Sequence, residues 1–169
     1  MGGDAGEHGR ANGVILHFAY GSNMSRAVMR RHAPGAGPVG VAALADHRFV
    51  ITTHGHASVA PKRAETVYGV LWRLTPRDYV TLAAWENIAA GLYRAMTLPV
   101  RQAGRRRMAL TYVARARQTG RPKPGYMELV IAAALEWQLP QVYTASLRHW
   151  LPRRPAGAGP RKLGEFRWT

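Results

Sequence analysis

The chain alternates between apolar runs and turn-forming segments, and each apolar run predicts one element of secondary structure. The first run, Val14 to Tyr20, is continuous and predicts a buried strand that ends at Gly21. Several residues with N-cap preference follow, from Ser22 to Ser25, and they favour a short helix to about His32. The next segments are a turn-rich connector at 34–40, strand-forming residues at 41–53 with a break at Asp46-His47, and a strand buried on both faces at 66–74.

The second half of the chain has the strongest helix signal. Thr75 is an N-cap residue, Pro76 occupies the first helical position and Asp78 stands three residues after the cap, so a helix is predicted to about Asn87. The remaining predicted elements are two strands at 92–100 and 108–115 joined by an Arg-rich hairpin at 102–107, a helix from Pro122–Gly125 to Trp137, and a last helical turn or two from Pro140 to about Trp150.

This order of elements predicts an α+β fold, a small mixed or antiparallel β-barrel with flanking α-helices, because strands are joined by hairpins and not by repeated βα units. The chain has 169 residues, enough for one domain, and neither a linker nor a repeat divides it. Residues 1–12 and 153–169 are rich in Gly, Pro and Arg and are expected to be tails. The single domain is therefore expected to span residues 13–152.

Composition changes the picture in two respects. The absence of cysteine excludes disulfides, thiol nucleophiles and thiolate zinc sites. No apolar run approaches the roughly 20 residues of a membrane helix, and the polar N-terminus does not resemble a signal peptide, so we expect a cytoplasmic protein with no membrane partner.

The formal net charge of +15 is carried almost entirely by arginine, since only Lys62, Lys123 and Lys162 are lysines. The basic residues are dispersed over strands, turns and both ends, with no basic helix among them. They are therefore interpreted as a solvated surface, and no specific nucleic-acid partner is expected.

Acidic residues are scarce, which makes elimination effective. Most of the nine occupy the ends, turns or a helix start. Glu86 differs because it shares a helical stripe with Tyr79, Leu82 and Ala83. A carboxylate on a core-facing stripe is costly unless it is paired or used, so the pattern leaves two interpretations, a structural ion pair with an arginine or a catalytic group with a raised pKa. Glu136 also has apolar helical neighbours and is interpreted as structural.

Three other motifs are given ordinary interpretations. The segment 35–40 has glycines at the dinucleotide-binding spacing, but it follows no predicted strand and it contains Pro38. His54 and His56 have alternate spacing without a third metal ligand, so they are interpreted as a loop pair and no metal is expected. Ser22 lacks the flanks of a nucleophile elbow and is interpreted as a helix cap.

The junction from Tyr20 to Asn23 is more informative, because a strand, a glycine and a helix start place several backbone N–H groups together. Such a cluster can bind a carboxylate or a phosphate. Glycine is expected at position 21 because the backbone must approach a ligand there, or because the turn requires a positive φ.

Four segments, in this order, resemble motifs of the γ-glutamylcyclotransferase-like superfamily. They are the signature loop Phe18–Met24, the central strand Tyr68–Trp72, the segment Trp85–Arg94 with its Glu and a Gly-x-Tyr, and the C-terminal pieces Pro124–Tyr126 and Leu139–Tyr143. The resemblance covers about residues 14–151. One departure is visible, since the usual Glu-Gly-Val is Glu86-Asn87-Ile88 in this chain.

The resemblance implies a small β-barrel enzyme with no cofactor and no metal, whose partner is a small γ-glutamyl compound. The α-amine of that compound attacks its own γ-carbonyl and releases 5-oxoproline. Glu86 would be the catalytic acid/base. The substrate-binding residues would be Tyr20, Gly21, Ser22, Asn23, Met24, Tyr93, Tyr126 and Tyr143.

Two alternatives remain open at this point, because one fold can host several functions. The first is a binding or regulatory protein without turnover, or another γ-glutamyl amine-transfer enzyme, on the same fold. The second is a basic nucleic-acid binder. The sequence favours neither a particular γ-glutamyl compound nor a particular oligomeric state.

Overall fold

The computed structural model describes residues 14–86 and 91–153. The strands are β1 (Ile15–Ala19), β2 (Gly37–Ile51), β3 (Ala57–Leu74), β4 (Tyr93–Gln102) and β5 (Arg105–Ala114). The helices are α1 (Arg26–His32), α2 (Pro76–Trp85), α3 (Tyr126–Glu136) and α4 (Gln141–Leu147), with 3-10 turns at Ser22–Met24 and Arg148–Trp150. None of the helices in these two ranges is both long and apolar enough to cross a membrane.

The five strands form a closed barrel in the order β1-β3-β2-β4-β5. All neighbouring pairs are antiparallel except β1 and β5, which pair in parallel at His17 and Leu110. The core fills with apolar side chains from strands and helices, among them Phe18, Leu71 and Met127. The predicted α+β barrel with flanking helices is confirmed.

Two predicted boundaries were wrong, and strand pairing explains both. The connector at 34–40 is partly strand, because Gly37 already pairs with Arg73. The long partner strand β3 begins at Ala57, nine residues before the predicted start. Residues 61–65 within its first half are exposed and too polar to suggest a strand, but this half pairs with the end of β2.

The predicted break at Asp46-His47 is a β-bulge within a continuous strand. Asp46 has a φ of 56°, and the pairing register shifts between Ala45 and His47. The Asp46 carboxylate accepts a hydrogen bond from the N–H of Ala64 at 2.9 Å, across the bulge. Bulges of this kind bend a strand and so help a sheet to close.

The N-terminus of α2 forms the predicted capping box. Asp78 is buried, and its carboxylate accepts hydrogen bonds from the N–H and hydroxyl of Thr75 at 3.1 and 2.7 Å and from the N–H of Gly35 at 3.1 Å. The carboxylate thereby fixes α2 to the segment before β2. The inner face of α2 runs from Asp78 through the fully buried Leu82 to Glu86, whereas Tyr79, predicted to share the buried stripe, is 36% exposed.

The tails predicted at 1–12 and 153–169 lie outside the described residues, except for Arg153. The division into one domain and two tails stays a prediction. Residues 87–90, which hold the departure at Asn87-Ile88, are outside the described residues as well.

We expect Asp78→Ala to lower the free energy of unfolding by about 1–3 kcal/mol, because three donors lose a buried, charged acceptor. Chemical denaturation of the variant measures the loss. Asp46→Ala is the matched control, since the Asp46 carboxylate is exposed and accepts its hydrogen bond from one donor among the described residues, the N–H of Ala64. An equal loss in both variants would contradict the special role of Asp78.

Candidate active site

A cavity of about 720 Å³ opens where the C-terminal end of β1 meets α2. This size is within the range of small-molecule sites. Its lining includes seven of the nine residues predicted for the site, which are Tyr20, Gly21, Ser22, Asn23, Glu86, Tyr93 and Tyr126. The structure thus brings together residues that lie up to 106 positions apart in the chain.

Two predicted residues are placed elsewhere. The side chain of Met24 is fully buried in the core, and its carbonyl accepts a hydrogen bond from Trp137 Nε1 at 2.7 Å. Tyr143 packs edge-on against Tyr68, with ring centroids 5.3 Å apart, and it does not line the cavity. Met24 anchors the loop to α3, and Tyr143 belongs to the packing of α4 on the barrel.

Glu86 ends α2 as its C-cap residue, with its N–H donating to Leu82 O at 2.9 Å. Its carboxylate faces the cavity and accepts a hydrogen bond from Asn23 Nδ2 at 2.7 Å. Burial raises the pKa of Glu86 to about 7, and the Asn23 hydrogen bond opposes that rise. The raised pKa predicted from the sequence is therefore confirmed, with desolvation as its main cause.

An ion pair with an arginine, one of the two interpretations of Glu86, is formed by Glu136. That carboxylate lies 3.1 Å from Arg26 Nε, and both side chains are partly exposed. The Arg26 guanidinium also stacks on the Trp137 ring at 3.7 Å. Glu136 is thus structural, as predicted, whereas the side chain of Glu86 bonds the amide of Asn23.

The backbone of Ala57, at the start of β3, positions two cavity tyrosines. Its N–H donates to the hydroxyl of Tyr126 at 3.1 Å, and its carbonyl accepts from the hydroxyl of Tyr93 at 2.7 Å. Burial raises the pKa of Tyr126 to about 12 and raises that of Tyr93 further, so both hydroxyls remain protonated at neutral pH.

Gly21 is required by close approach and not by a positive φ, which corrects one of the two sequence arguments. Its φ is −113°. A Cβ at this position would lie 2.7 Å from the Tyr126 hydroxyl and 3.1 Å from Ala57 Cβ. The glycine therefore allows the loop to pack directly against the tyrosine that lines the cavity.

Sequence reasoning missed several lining residues. His54 and His56, interpreted as a loop pair, line the cavity, and the His56 ring packs edge-on against Tyr126 at 5.2 Å. His17 and Tyr112 also line it, deep in the barrel. The one available signal was a histidine within the otherwise apolar run of β1.

The charge of the cavity lining is asymmetric. Arg31 and Lys123 contribute side chains, and Glu86 is the one acidic residue among the described lining residues. In the described part of the chain no three His, Asp or Glu side chains are placed to hold a metal ion together. The lining suits a small molecule that carries both an anionic and a cationic group.

Known proteins resemble this chain in sequence and in fold. The AIG2-like family matches residues 66–147. A gamma-glutamylcyclotransferase of Mus musculus is 26% identical over 166 residues, which cover 92% of this chain and 87% of the mouse protein. The gamma-glutamylcyclotransferase of Homo sapiens is 26% identical over 145 residues, 79% of this chain and 77% of the human protein. A solved structure described as gamma-glutamyl cyclotransferase superposes with a TM-score of 0.77 at 24% identity, over 86% of this chain and 92% of that one, and supports the fold.

We expect Gly21→Val to weaken ligand binding in the cavity at least tenfold, because its side chain would displace the Tyr126 hydroxyl from Ala57. Calorimetric titration of the folded variant with a γ-glutamyl compound tests this. Gly37→Val is the matched control, since no atom lies within 4 Å of a Cβ built there. Equal affinities for the two variants would contradict the role of Gly21.

Proposed function

The chain belongs to the γ-glutamylcyclotransferase-like superfamily, and from this premise we propose that it converts a small γ-glutamyl compound into 5-oxoproline and a free amine. The observation that carries the proposal is the carboxylate of Glu86, which faces a small-molecule cavity with a pKa near neutrality. The names of the mouse and human relatives support the same reaction.

Cyclisation requires few catalytic groups because the substrate contains its own nucleophile. The main task of the protein is to hold the α-amine close to the γ-carbonyl carbon, and such positioning can supply a large share of the rate enhancement. A pre-formed cavity with a rigid tyrosine wall is suited to this task, since Tyr93 and Tyr126 are both fixed by the backbone of Ala57.

In the first step the loop from Tyr20 to Asn23 binds the glutamyl end of the substrate through backbone N–H groups, and Arg31 and Lys123 attract its anionic parts. Glu86 then takes one proton from the α-ammonium, which frees the lone pair on nitrogen. A base with a pKa near 7 is ionised in a useful fraction at neutral pH and can also return the proton.

In the second step the α-nitrogen bonds to the γ-carbon and a tetrahedral intermediate forms. The bond between the γ-carbon and the departing nitrogen breaks, and Glu86 delivers its proton to that nitrogen. The products are 5-oxoproline and the amine, and Glu86 is again ionised. The α-nitrogen loses two protons in all, one to Glu86 before the attack and one from the ring nitrogen of the intermediate. The departing nitrogen receives both and leaves as an ammonium group, so the cycle balances without a further reagent.

Incubation with a panel of γ-glutamyl compounds, followed by mass detection of 5-oxoproline, tests the proposal. We expect Glu86→Gln to lower turnover by about 10²–10⁴, because the amide keeps the shape and the Asn23 contact but cannot accept a proton. Glu136→Gln is the matched control, and its turnover is expected to stay within twofold of that of the wild type.

Melting temperature provides an independent measurement on the same Glu86→Gln preparation. The pKa of Glu86 is higher in the folded than in the unfolded state. The contribution of Glu86 to wild-type stability is therefore fully present below about pH 4.5 and is lost as the pH rises through about 7. Glutamine removes this loss. The variant should therefore melt above the wild type at about pH 8.5 and close to it at about pH 4. A lower melting temperature with full turnover would show that Glu86 is structural.

The pH profile of kcat/KM tests the partner of Glu86. The wild-type profile should rise through an apparent pKa near 7, because the ionised carboxylate is the base. Asn23→Ala removes a hydrogen bond that stabilises the ionised form, so its ascending limb should move to higher pH. An unmoved limb would mean that another group limits the rate.

A further inference from the structure

The floor of the cavity holds two aromatic residues that the mechanism does not use. His17 on β1 and Tyr112 on β5 are 2% and 3% exposed, and both line the cavity. Their rings pack at a centroid distance of 5.4 Å with an interplanar angle of 52°. They are held there by the parallel pairing that closes the barrel between β1 and β5.

The protonation of His17 follows from its surroundings. Its Nδ1 lies 3.1 Å from the carbonyl oxygen of Leu110, which can only accept, so Nδ1 carries the hydrogen. Burial lowers the pKa of His17 to about 4, and the ring is therefore neutral at neutral pH. Nε2 then bears a lone pair and is a hydrogen-bond acceptor.

Nε2 of His17 and the hydroxyl of Tyr112 are both buried and have no hydrogen-bond partner within the described residues. The same holds for Oδ1 of Asn23, whose Nδ2 is bonded to Glu86. Tyr112 is also close enough to Glu86 for that carboxylate to help raise its pKa, behind burial and Tyr79. Oγ1 of Thr52, also in the lining, is a fourth such atom. Buried polar atoms without partners are uncommon in proteins, and four on one cavity point to a ligand that completes them.

All four of these atoms can accept a hydrogen bond, and Glu86 adds a fifth acceptor. The complementary ligand group is therefore one with several N–H donors. An ammonium group has three, of which one is directed to Glu86 in the proposed reaction, so two remain for other acceptors. After the proton is lost, the same two N–H groups remain on the attacking amine.

We propose that Nε2 of His17 and the hydroxyl of Tyr112 form a subsite for the α-ammonium group of the substrate, beside Glu86. This inference rests on the proposed function and extends it. Two acceptors on the N–H groups fix the rotation of the amine, so that its lone pair is directed at the γ-carbonyl carbon once Glu86 has taken the proton. The two residues bind substrate and orient it, and Glu86 moves the proton.

The test uses two ligands that differ only at the α-carbon. One is a γ-glutamyl amide, and the other is the matching glutaryl amide, which has hydrogen in place of the ammonium group. Affinities are measured by calorimetry on full-length Glu86→Gln protein, in which turnover is suppressed. The readout is therefore binding and does not depend on activity.

Tyr112→Phe, added to this protein, removes only a hydroxyl without a partner, so the fold is not at risk. We expect this substitution to weaken the binding of the γ-glutamyl amide about tenfold or more and to leave the affinity for the glutaryl amide unchanged. His17→Asn keeps an N–H donor for the Leu110 carbonyl but removes Nε2, and the same selective loss is expected. Tyr68→Phe is the matched control, because Tyr68 lies outside the cavity lining.

Two results would overturn the subsite while leaving the reaction intact. Unchanged affinity of Tyr112→Phe and His17→Asn for the γ-glutamyl amide would mean that these atoms contact internal water only. An equal loss for both ligands would mean that they shape the cavity without recognising the ammonium group. If wild-type protein releases no 5-oxoproline and binds neither ligand, the proposed function fails and the subsite fails with it.

Discussion

The arrangement of the site depends on how β1 is held in the barrel. This five-residue strand pairs with β3 on one side and with β5 on the other, so it closes the sheet. Its approach to β3 is so close that a Cβ at Gly69 would collide with the carbonyl oxygen of Ala19. The loop that follows β1 therefore leaves the barrel from a fixed point, and Tyr20 is fixed further by donating its hydroxyl to the Tyr112 carbonyl on β5.

The second constraint is the phase of α2. The capping box fixes where the helix begins. Leu82 and Glu86, four and eight residues after Asp78, then lie on the same face of the helix, with Leu82 in the core and Glu86 at the cavity. The carboxylate reaches the loop after β1, where Asn23 bonds it. Because this hydrogen bond between amide and carboxylate joins the two elements, the electrostatics of the site depend on both the barrel and the helix start.

The sequence predicted most of the fold because its signals were local. Thr75, Pro76 and Asp78 determine the start of α2 by themselves, and the apolar run before Gly21 determines β1. The long pairing of β2 and β3 was missed because each strand is stabilised by its partner. Residues 61–65 are exposed, and the bulge at Asp46 resembles a break between elements in sequence. A polar strand of this kind is not distinguishable from a loop by periodicity.

The residues of the site likewise fall into those that local sequence signals reveal and those that depend on the closed barrel. Glu86 could be isolated because acids are scarce and its helical position is costly, and the loop from Tyr20 to Asn23 was visible as a strand-to-helix junction. The tyrosines were assigned by resemblance alone, and Tyr143 shows the limit of that assignment, since it packs on Tyr68 away from the cavity. Tyr112 could not be found from sequence, because its position at the cavity follows from the closure of the barrel between β1 and β5.

The distribution of charge inside the cavity follows from these same constraints. Burial keeps His17 neutral and keeps Tyr20, Tyr93, Tyr112 and Tyr126 protonated, so the deep part of the cavity is polar but carries no charge apart from Glu86. The cations Arg31 and Lys123 contribute to the same lining, in which Glu86 is the one acidic residue among those that the structure describes. This distribution orients a zwitterionic ligand, because its ammonium group is attracted to Glu86 and its anionic groups to Arg31 and Lys123. The proposed intramolecular reaction requires orientation by charge, because the wrong orientation of the bound molecule leaves the nucleophile beside a cation and away from the Glu86 carboxylate.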